Sequence, residues 1–435
     1  SQTGHFGGPL AYTPYTVATH LVGPELGGLR YDYRRPKHPY SDKFLLAGGH
    51  NAPVTYALWM VLGEALHRVH EATGIDKYHS DPMTSFLSID CLGFRRGKDG
   101  LAAMLAENGL EDHPSMSQAK LRGIRALAGH SESTDLTNDV NGGPSGIGIA
   151  TAAGKAAFWE IAGAGSSPKI VGVEGEFAMT SGHSQEMKTQ AVAQQVGKRL
   201  RILLSYNNAG IDAELVGGVV QPQFDSYKIE DQWASYGWNV FKLDNANELD
   251  QVVGVLKTME DWDPSDRRPM IVVGSTTKGW WPGAVNGSIP GYGDQIISYQ
   301  SHPYTFAMNS EYFVALAKTF ENRYDVKFEG IDAGPIADER ERILQYKANI
   351  DIVMSVLEKN GLGKWIADRL VDIGDSVSDD TPLRLTTKED PFLDERLRPQ
   401  NAPRDPITVN VTNSITGEQK DVDIKLFEES GKPSG

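Results

Sequence analysis

The sequence predicts an α/β fold: a doubly wound, mostly parallel sheet with helices on both faces, followed by a C-terminal arm. Three observations carry this. Helix-like and strand-like patterns alternate through the first 300 residues, and strands separated by helices imply a parallel sheet covered on both sides. The apolar run "LRILL" exits directly into "SYNNAGI" (205–211), whose Asn and Gly residues tolerate positive φ and end a strand. After about residue 330 the texture becomes polar and then Pro-rich.

The elements follow in order. "APVTYALWMVLGEALHRVH" (52–70) sets Val54, Leu58, Val61, Leu62, Ala65, Leu66 and Val69 on one face at helical spacing. "GIGIATAAGKAAFWEIAGAG" (146–165) reads as a small-residue helix suited to close packing. "SPKIVGVEGE" (167–176) contains a short buried strand, "SQEMKTQAVAQQVGK" (184–198) a helix, and "RLRILLSYNN" (199–208) a strand. "QWASYGWNVFKLD" (232–244) gives helix end, turn and strand, and "RRPMIVVGSTTKG" (267–279) another strand. Residues 1–330 are therefore expected to form one α/β domain. Residues 331–435 are expected to hold one or two surface helices, an extended Pro-rich linker over 375–407, and two short strands in "ITVNVTN" and "KDVDIKLF".

Composition narrows the function classes. The chain has 435 residues, 40% of them hydrophobic and 23% charged, as in ordinary globular proteins. A formal net charge of −15 argues against a nucleic-acid partner, since the phosphate backbone would be repelled over most of the surface. No stretch has the apolar length of a membrane span. The opening "SQTGHFGGPL" has neither the charged nor the apolar region of a secretory signal. The single cysteine, Cys91, excludes an intrachain disulfide and suits a reducing, cytoplasmic setting; it is expected to be a small core residue.

Ligands of open α/β sheets bind at the carboxyl ends of the strands. Two such ends are rich in oxygen. One strand finishes in Glu174-Gly175-Glu176, the next in Asn207-Asn208-Ala209-Gly210. With a helix crossing between them, both ends are expected at one edge. A carboxylate, a side-chain amide and a backbone carbonyl make an all-oxygen set, which a hard divalent ion such as Mg²⁺ prefers. Gly175 lets the backbone approach phosphates closely.

These residues resemble the thiamine-diphosphate motif, an acidic residue and Gly followed by an Asn-Asn-x-Gly segment. The resemblance implies metal binding by Glu174, Asn208 and the carbonyl of Gly210. It departs in one place: the family has Asp within Gly-Asp-Gly where this chain has Val173-Glu174-Gly175, which leaves Glu176 as a competing ligand. Ca²⁺ or Mn²⁺ could substitute for Mg²⁺. Further segments resemble transketolase in the same order: "TGHFGGPL" (3–10), "KFLLAGGHNAPVTYALW" (43–59), "AGHSESTDLTNDVNGGPSGIGIATAAGKA" (128–156), "YGWNVFKLD" and "SYQSHPYTF" (298–306). The resemblance runs from residue 3 to about 310.

Of eleven histidines, His67 and His70 lie on the 52–70 helix and read as ordinary, as do His20, His38, His79 and His113; His183 is undecided. His5, His50, His130 and His302 each sit in a Gly- or Pro-flanked turn and match transketolase positions that line the cofactor–substrate cleft. By that resemblance all four are catalytic candidates. His50 and His302 would touch the diphosphate or the reacting oxygens, and His5 and His130 would bond substrate hydroxyls. Neutral imidazoles can donate to a developing alkoxide or shuttle a proton near neutral pH. "GGPSGIG" (142–148) fails as a dinucleotide fingerprint, because Thr151 stands where a third Gly or Ala belongs. In the transketolase reading, Gly143 and Pro144 support the cofactor, together with His50, Gly175, Glu176, Asn208 and His302.

The family also needs a pyrimidine-binding domain with a glutamate in a Glu-Gln-Asn-like segment. No such segment is found, and residues 330–435 are too few for that domain. The resemblance thus implies the diphosphate-binding half of a transketolase-like enzyme, as a split subunit or a fragment. It would work with a second domain or chain, as a dimer or heterotetramer, on small sugar or 2-oxo acid substrates. Transfer of a two-carbon ketol unit between sugars is the leading expectation. "VEGEF" is also similar to the Gly-Asp-Gly-Glu of pyruvate dehydrogenase E1 and of phosphoketolase, which keeps both as alternatives. A non-catalytic scaffold subunit is the alternative of another class.

Overall fold

Among the described residues, five strands pair in parallel in the order β1-β2-β3-β5-β4. They are β1 Lys43–Leu46, β2 Ile170–Gly175, β3 Leu200–Tyr206, β4 Asn239–Leu243 and β5 Met270–Ser275. In the computed structural model, the described residues are 7–165, 167–210, 213–216, 228–281, 308–379, 405–413 and 415–425. Helices α1 Gly7–Leu21 and α2 Ala52–Thr73 flank β1 in sequence; α3 Lys98–Glu107 and α4 Ser117–Arg122 follow. Then come α5 Ile147–Ile161, α6 Gly182–Ala193, α7 Ile229–Ser235 and α8 Leu249–Asp261. The last three are α9 Glu311–Tyr324, α10 Glu339–Ser355 and α11 Leu362–Asp375.

The strands are apolar on both sides because both sides are covered. Phe44, Leu46, Val171, Val173, Leu203, Met270 and Val272 face a core shared with α1, α2, α8 and α11. The alternate residues Leu45, Ile170, Ile202, Leu204, Ile271 and Val273 face a second core with α5, α6 and α7. The small residues read along 146–165 have a use here. Ala152, Ala153 and Ala156 are buried, and a side chain added at Gly148 would meet Ala47 Cα at 2.4 Å, so α5 lies close on the sheet.

Local chemistry sets the helix ends. Pro53 stands at the start of α2, and Gly74 closes it at φ 66 with its N–H on the His70 carbonyl. Ser181, Ser310 and Asp338 cap α6, α9 and α10 through side-chain oxygens. Helix α6 stops at Ala193, short of the expected 198, because Gln195 and Gly197 both turn to positive φ.

The chain divides into two compact units on either side of Pro382. Helices α10 and α11, read from the sequence as surface helices at the start of the arm, lie in the first, and α11 is not a surface helix: its apolar side, with Ile366, Leu370 and Val371, joins the core built on α2. In the second unit, Ile407–Thr412 (β6) and Gln419–Ile424 (β7) form the two expected strands as an antiparallel pair. The expected linker falls almost wholly outside the described residues. Cys91 is half-buried and packs on the first core, its thiol against Met60 Sδ at 3.2 Å. Among the described residues, no helix is long and apolar enough to cross a membrane.

Candidate functional site

The carboxyl ends of β2 and β3 stand side by side. Glu174 pairs with Leu204 and Gly175 with Ser205, so the Glu174–Glu176 segment and the Asn207–Gly210 turn leave the sheet at the same edge. The two are tied directly. Glu176 Oε1 accepts the Ala209 N–H at 3.0 Å, and Asn207 Oδ1 accepts the same N–H at 3.0 Å. Asn208 adopts φ 51, which Asn tolerates and most residues do not.

Glu174 and Glu176 are 2% and 1% exposed. Burial pushes each carboxyl up to about 7. For Glu174 the amides of Gly175 and Gly146 offset part of the rise and the charge of Glu176 adds to it. For Glu176 the amides of the turn and the Lys278 ammonium pull the other way. The two acids differ in what they bond. Glu174 Oε1 takes its neighbour's amide, Gly175 N–H, at 2.9 Å. Its Oε2 is buried with no hydrogen-bond partner among the described residues. Glu174 therefore has the spare oxygen, and Glu176 is spent on the turn.

The other expected ligand atoms already accept hydrogen bonds. Asn208 Oδ1 accepts from Val216 N–H at 2.8 Å while its Nδ2 donates to the Val216 carbonyl at 3.3 Å. The Gly210 carbonyl accepts from Lys278 Nζ. Each of these carbonyl oxygens keeps a second lone pair. An all-oxygen set with one unpartnered, buried carboxylate oxygen fits a hard cation, provided that the Lys278 ammonium leaves Gly210. Among the described residues, no cluster of three or more His, Cys, Asp or Glu side chains could hold a metal, so a metal here must rely on the amide and the carbonyl.

Around Glu174 stand residues that sequence reasoning missed. A Cβ added at Gly48 would lie 2.8 Å from the Tyr12 hydroxyl, 3.0 Å from Glu174 Oε1 and 3.1 Å from Asn51 Nδ2. These groups thus converge on one bare glycine after β1. Tyr12 is buried, and its hydroxyl is held well above its ordinary range by that burial and by the charges of Glu174 and Glu176. Asn51 Oδ1, like Glu174 Oε2, is buried without a hydrogen-bond partner among the described residues. Nothing in "GGPLAY" or "GGHNAP" marks these side chains. Nor does local pattern mark Lys278, which follows β5, the strand beside β3. That neighbourhood is visible only once the strand order is known.

His50 lies in the 3₁₀ turn Gly49–Asn51, after β1 and at the same edge. Ser131, next to His130, donates its N–H to the Gly49 carbonyl at 3.1 Å and its hydroxyl to the Leu46 carbonyl at 3.1 Å. The loops bearing His50 and His130 are thereby joined, and His130 is exposed. Gly143 and Pro144 follow in an exposed loop tied down at Gly142, whose N–H bonds the Ser131 carbonyl at 3.0 Å. His5 and His302 lie outside the described residues. Of the histidines read as ordinary, His20 is buried and bonded to the Thr16 carbonyl and the Thr137 hydroxyl. His67 pairs with Glu71 on the outer face of α2.

A transketolase from Leishmania mexicana superposes on the chain with a TM-score of 0.50 at 17% identity, over 86% of this chain and 45% of its own. The fold is transketolase-like. A Pichia stipitis transketolase mutant in complex with xylulose-5-phosphate gives a TM-score of 0.51 at 15% identity, and the same yeast's transketolase in complex with sedoheptulose-7-phosphate gives 0.50 at 16%. Each again covers 86% of this chain and 45% of its own length, so the chain spans less than half of the transketolases it matches. No protein-family model and no curated protein sequence matches the chain.

Proposed function

We propose that this chain is the diphosphate-holding part of a thiamine-diphosphate enzyme of the transketolase type, which passes a two-carbon ketol unit between sugars. The observation that carries the reading is the β2–β3 edge: in a transketolase-like fold, the buried and half-satisfied Glu174 stands beside the Asn207–Gly210 turn. Glu174, Asn208 and the Gly210 carbonyl would hold Mg²⁺, with Glu176 fixing the turn. Gly175, His50, Gly143 and Pro144 would bound the diphosphate, with His302. Bound there, the cofactor supplies the nucleophilic carbon that opens a carbon–carbon bond beside a carbonyl. The chain's own groups bind and orient. His50 and His130, on joined loops, are placed to hydrogen-bond a polyhydroxylated substrate, and His5 belongs to the same proposed set. The pyrimidine end of the cofactor requires a further domain or chain, which agrees with the 45% coverage.

Calorimetry with Mg²⁺ and thiamine diphosphate tests the site, and product analysis with a ketose phosphate donor and an aldose acceptor tests the reaction. Absent heat in the assembled protein favours the scaffold subunit instead. One observation favours a second reading of the donor. Glu176, part of the "VEGEF" segment on which the resemblance to pyruvate dehydrogenase E1 rests and, with "TGHFGG", that to phosphoketolase, is buried and bonded to the Ala209 amide. Acetyl phosphate released from a sugar phosphate would assign the former, and consumption of pyruvate the latter.

A further inference from the structure

A divalent ion and an ammonium group seek the same atoms, namely oxygens with charge or a strong carbonyl dipole. At the β2–β3 edge an ammonium lies on such oxygens. Lys278 follows β5, the strand paired with β3, and its side chain reaches across to the turn. It is 5% exposed. Its Nζ donates to the Gly210 carbonyl and lies 3.5 Å from the Ala209 carbonyl. The carboxylate acting on it is Glu176, which also holds Ala209 N–H. The ammonium thus bonds one of the three proposed metal ligands, within the field of the acid beside the second.

We infer that Lys278 is an internal stand-in for the divalent ion, holding the 207–210 turn in the cation-free protein and withdrawing from the Gly210 carbonyl when the ion binds. The inference rests on the reading of Glu174, Asn208 and Gly210 as the ion's seat. Its physical basis is competition. One carbonyl oxygen cannot serve an ammonium and a divalent ion at bonding distance, because the two cations would repel strongly in a buried, weakly screened site. Before the ion arrives, the ammonium satisfies a buried carbonyl and offsets part of the charge of the acidic pair, both costly to leave alone. The turn is therefore built without the metal, at the expense of metal affinity.

The test uses the full chain and Mg²⁺ alone, so that a diphosphate does not itself cover the lysine. Acetylation of lysines by acetic anhydride, followed by mass spectrometry, reads the position of Lys278 directly. Labelling of Lys278, relative to the exposed Lys257, is expected to rise at least roughly threefold at saturating Mg²⁺, as a buried amine becomes accessible. In parallel, calorimetry of Lys278→Met is expected to show Mg²⁺ binding roughly tenfold tighter than wild type, the worth of one hydrogen bond to a charged group. Lys278→Gln, which keeps a donor and loses the charge, replaces the Met variant if circular dichroism shows that one misfolded. Measurable Mg²⁺ binding with unchanged labelling of Lys278 overturns the inference and leaves the ion site standing. No Mg²⁺ binding by wild type or by either variant overturns the ion site and the inference together.

Discussion

Two acids one residue apart do different work. Glu174 has a buried oxygen with no hydrogen-bond partner among the described residues, while Glu176 is committed to the Ala209 amide. Glu174→Gln, which removes the charge at the spare oxygen, is expected to weaken Mg²⁺ binding roughly a hundredfold. Glu176→Gln keeps an acceptor for Ala209 and is expected to cost less than tenfold; calorimetry of the two variants reads the contrast. Away from the edge, Glu260 carries a pH signature. Burial alone would raise its carboxyl, but Arg201 at 2.8 Å and Lys169 at 3.1 Å overcome this and hold it at about 2. Because the folded value lies below the ordinary carboxylate range, the stabilisation is fully present above about pH 4.5 and drains away as pH falls towards 2. Glu260→Gln is expected to lose on the order of 3 kcal/mol near neutral pH, since it leaves the buried Arg201 guanidinium without its carboxylate and Lys169 with Asp42 alone, at 3.8 Å. Urea unfolding of the pair should show the gap closing below pH 4.5.

At the scale of elements, the site depends on how closely two loops approach. A Cβ at Gly49 would meet the Gly142 carbonyl at 1.9 Å, whereas one at Gly143 meets nothing within 4 Å. Gly49→Ala is expected to destabilise by about 1–3 kcal/mol through overpacking, and to shift the turn that carries His50. Gly143→Ala is expected to stay within about 0.5 kcal/mol of wild type, so any loss of cofactor affinity in that variant belongs to binding; thermal melts and calorimetry separate the two effects. The elements themselves were unevenly legible. Strands β2, β3 and β5 read as apolar runs ending in Gly, Asn or Ser, β4 as the strand after the Tyr-Gly-Trp turn, and α2 as an apolar stripe; α11 read as a surface helix, although its Ile366, Leu370 and Val371 are buried. Strand β1 is four residues long, and "KFLL" is too short to read as a strand by pattern. Helix α1 contains Pro9 and Pro14, punctuation that normally argues for a loop. With α1 unread, Tyr12 could not be placed beside Glu174. Lys278 was hidden differently: adjacency of β5 to β3 is a property of strand order, which local pattern does not encode.

At the scale of the whole chain, the fold is transketolase-like. It matches transketolase chains over 45% of their length, and the proposed chemistry needs a group for the aminopyrimidine that this chain does not carry in any recognisable motif. The chain alone is therefore expected to bind Mg²⁺ and diphosphate yet give no turnover of ketose donors, with turnover appearing on addition of a polypeptide that carries the pyrimidine-binding domain. Full activity from the lone chain would contradict that division of labour.

The central claim is that β2 and β3 end together to seat one divalent ion and a diphosphate, and the most direct test is anomalous diffraction from crystals grown with Mn²⁺ and thiamine diphosphate. The account expects a single strong peak roughly 2.1–2.2 Å from a Glu174 carboxylate oxygen, Asn208 Oδ1 and the Gly210 carbonyl oxygen, as for a small hard cation. A peak elsewhere, with those three groups dispersed or still bonded as they are without the ion, would contradict it.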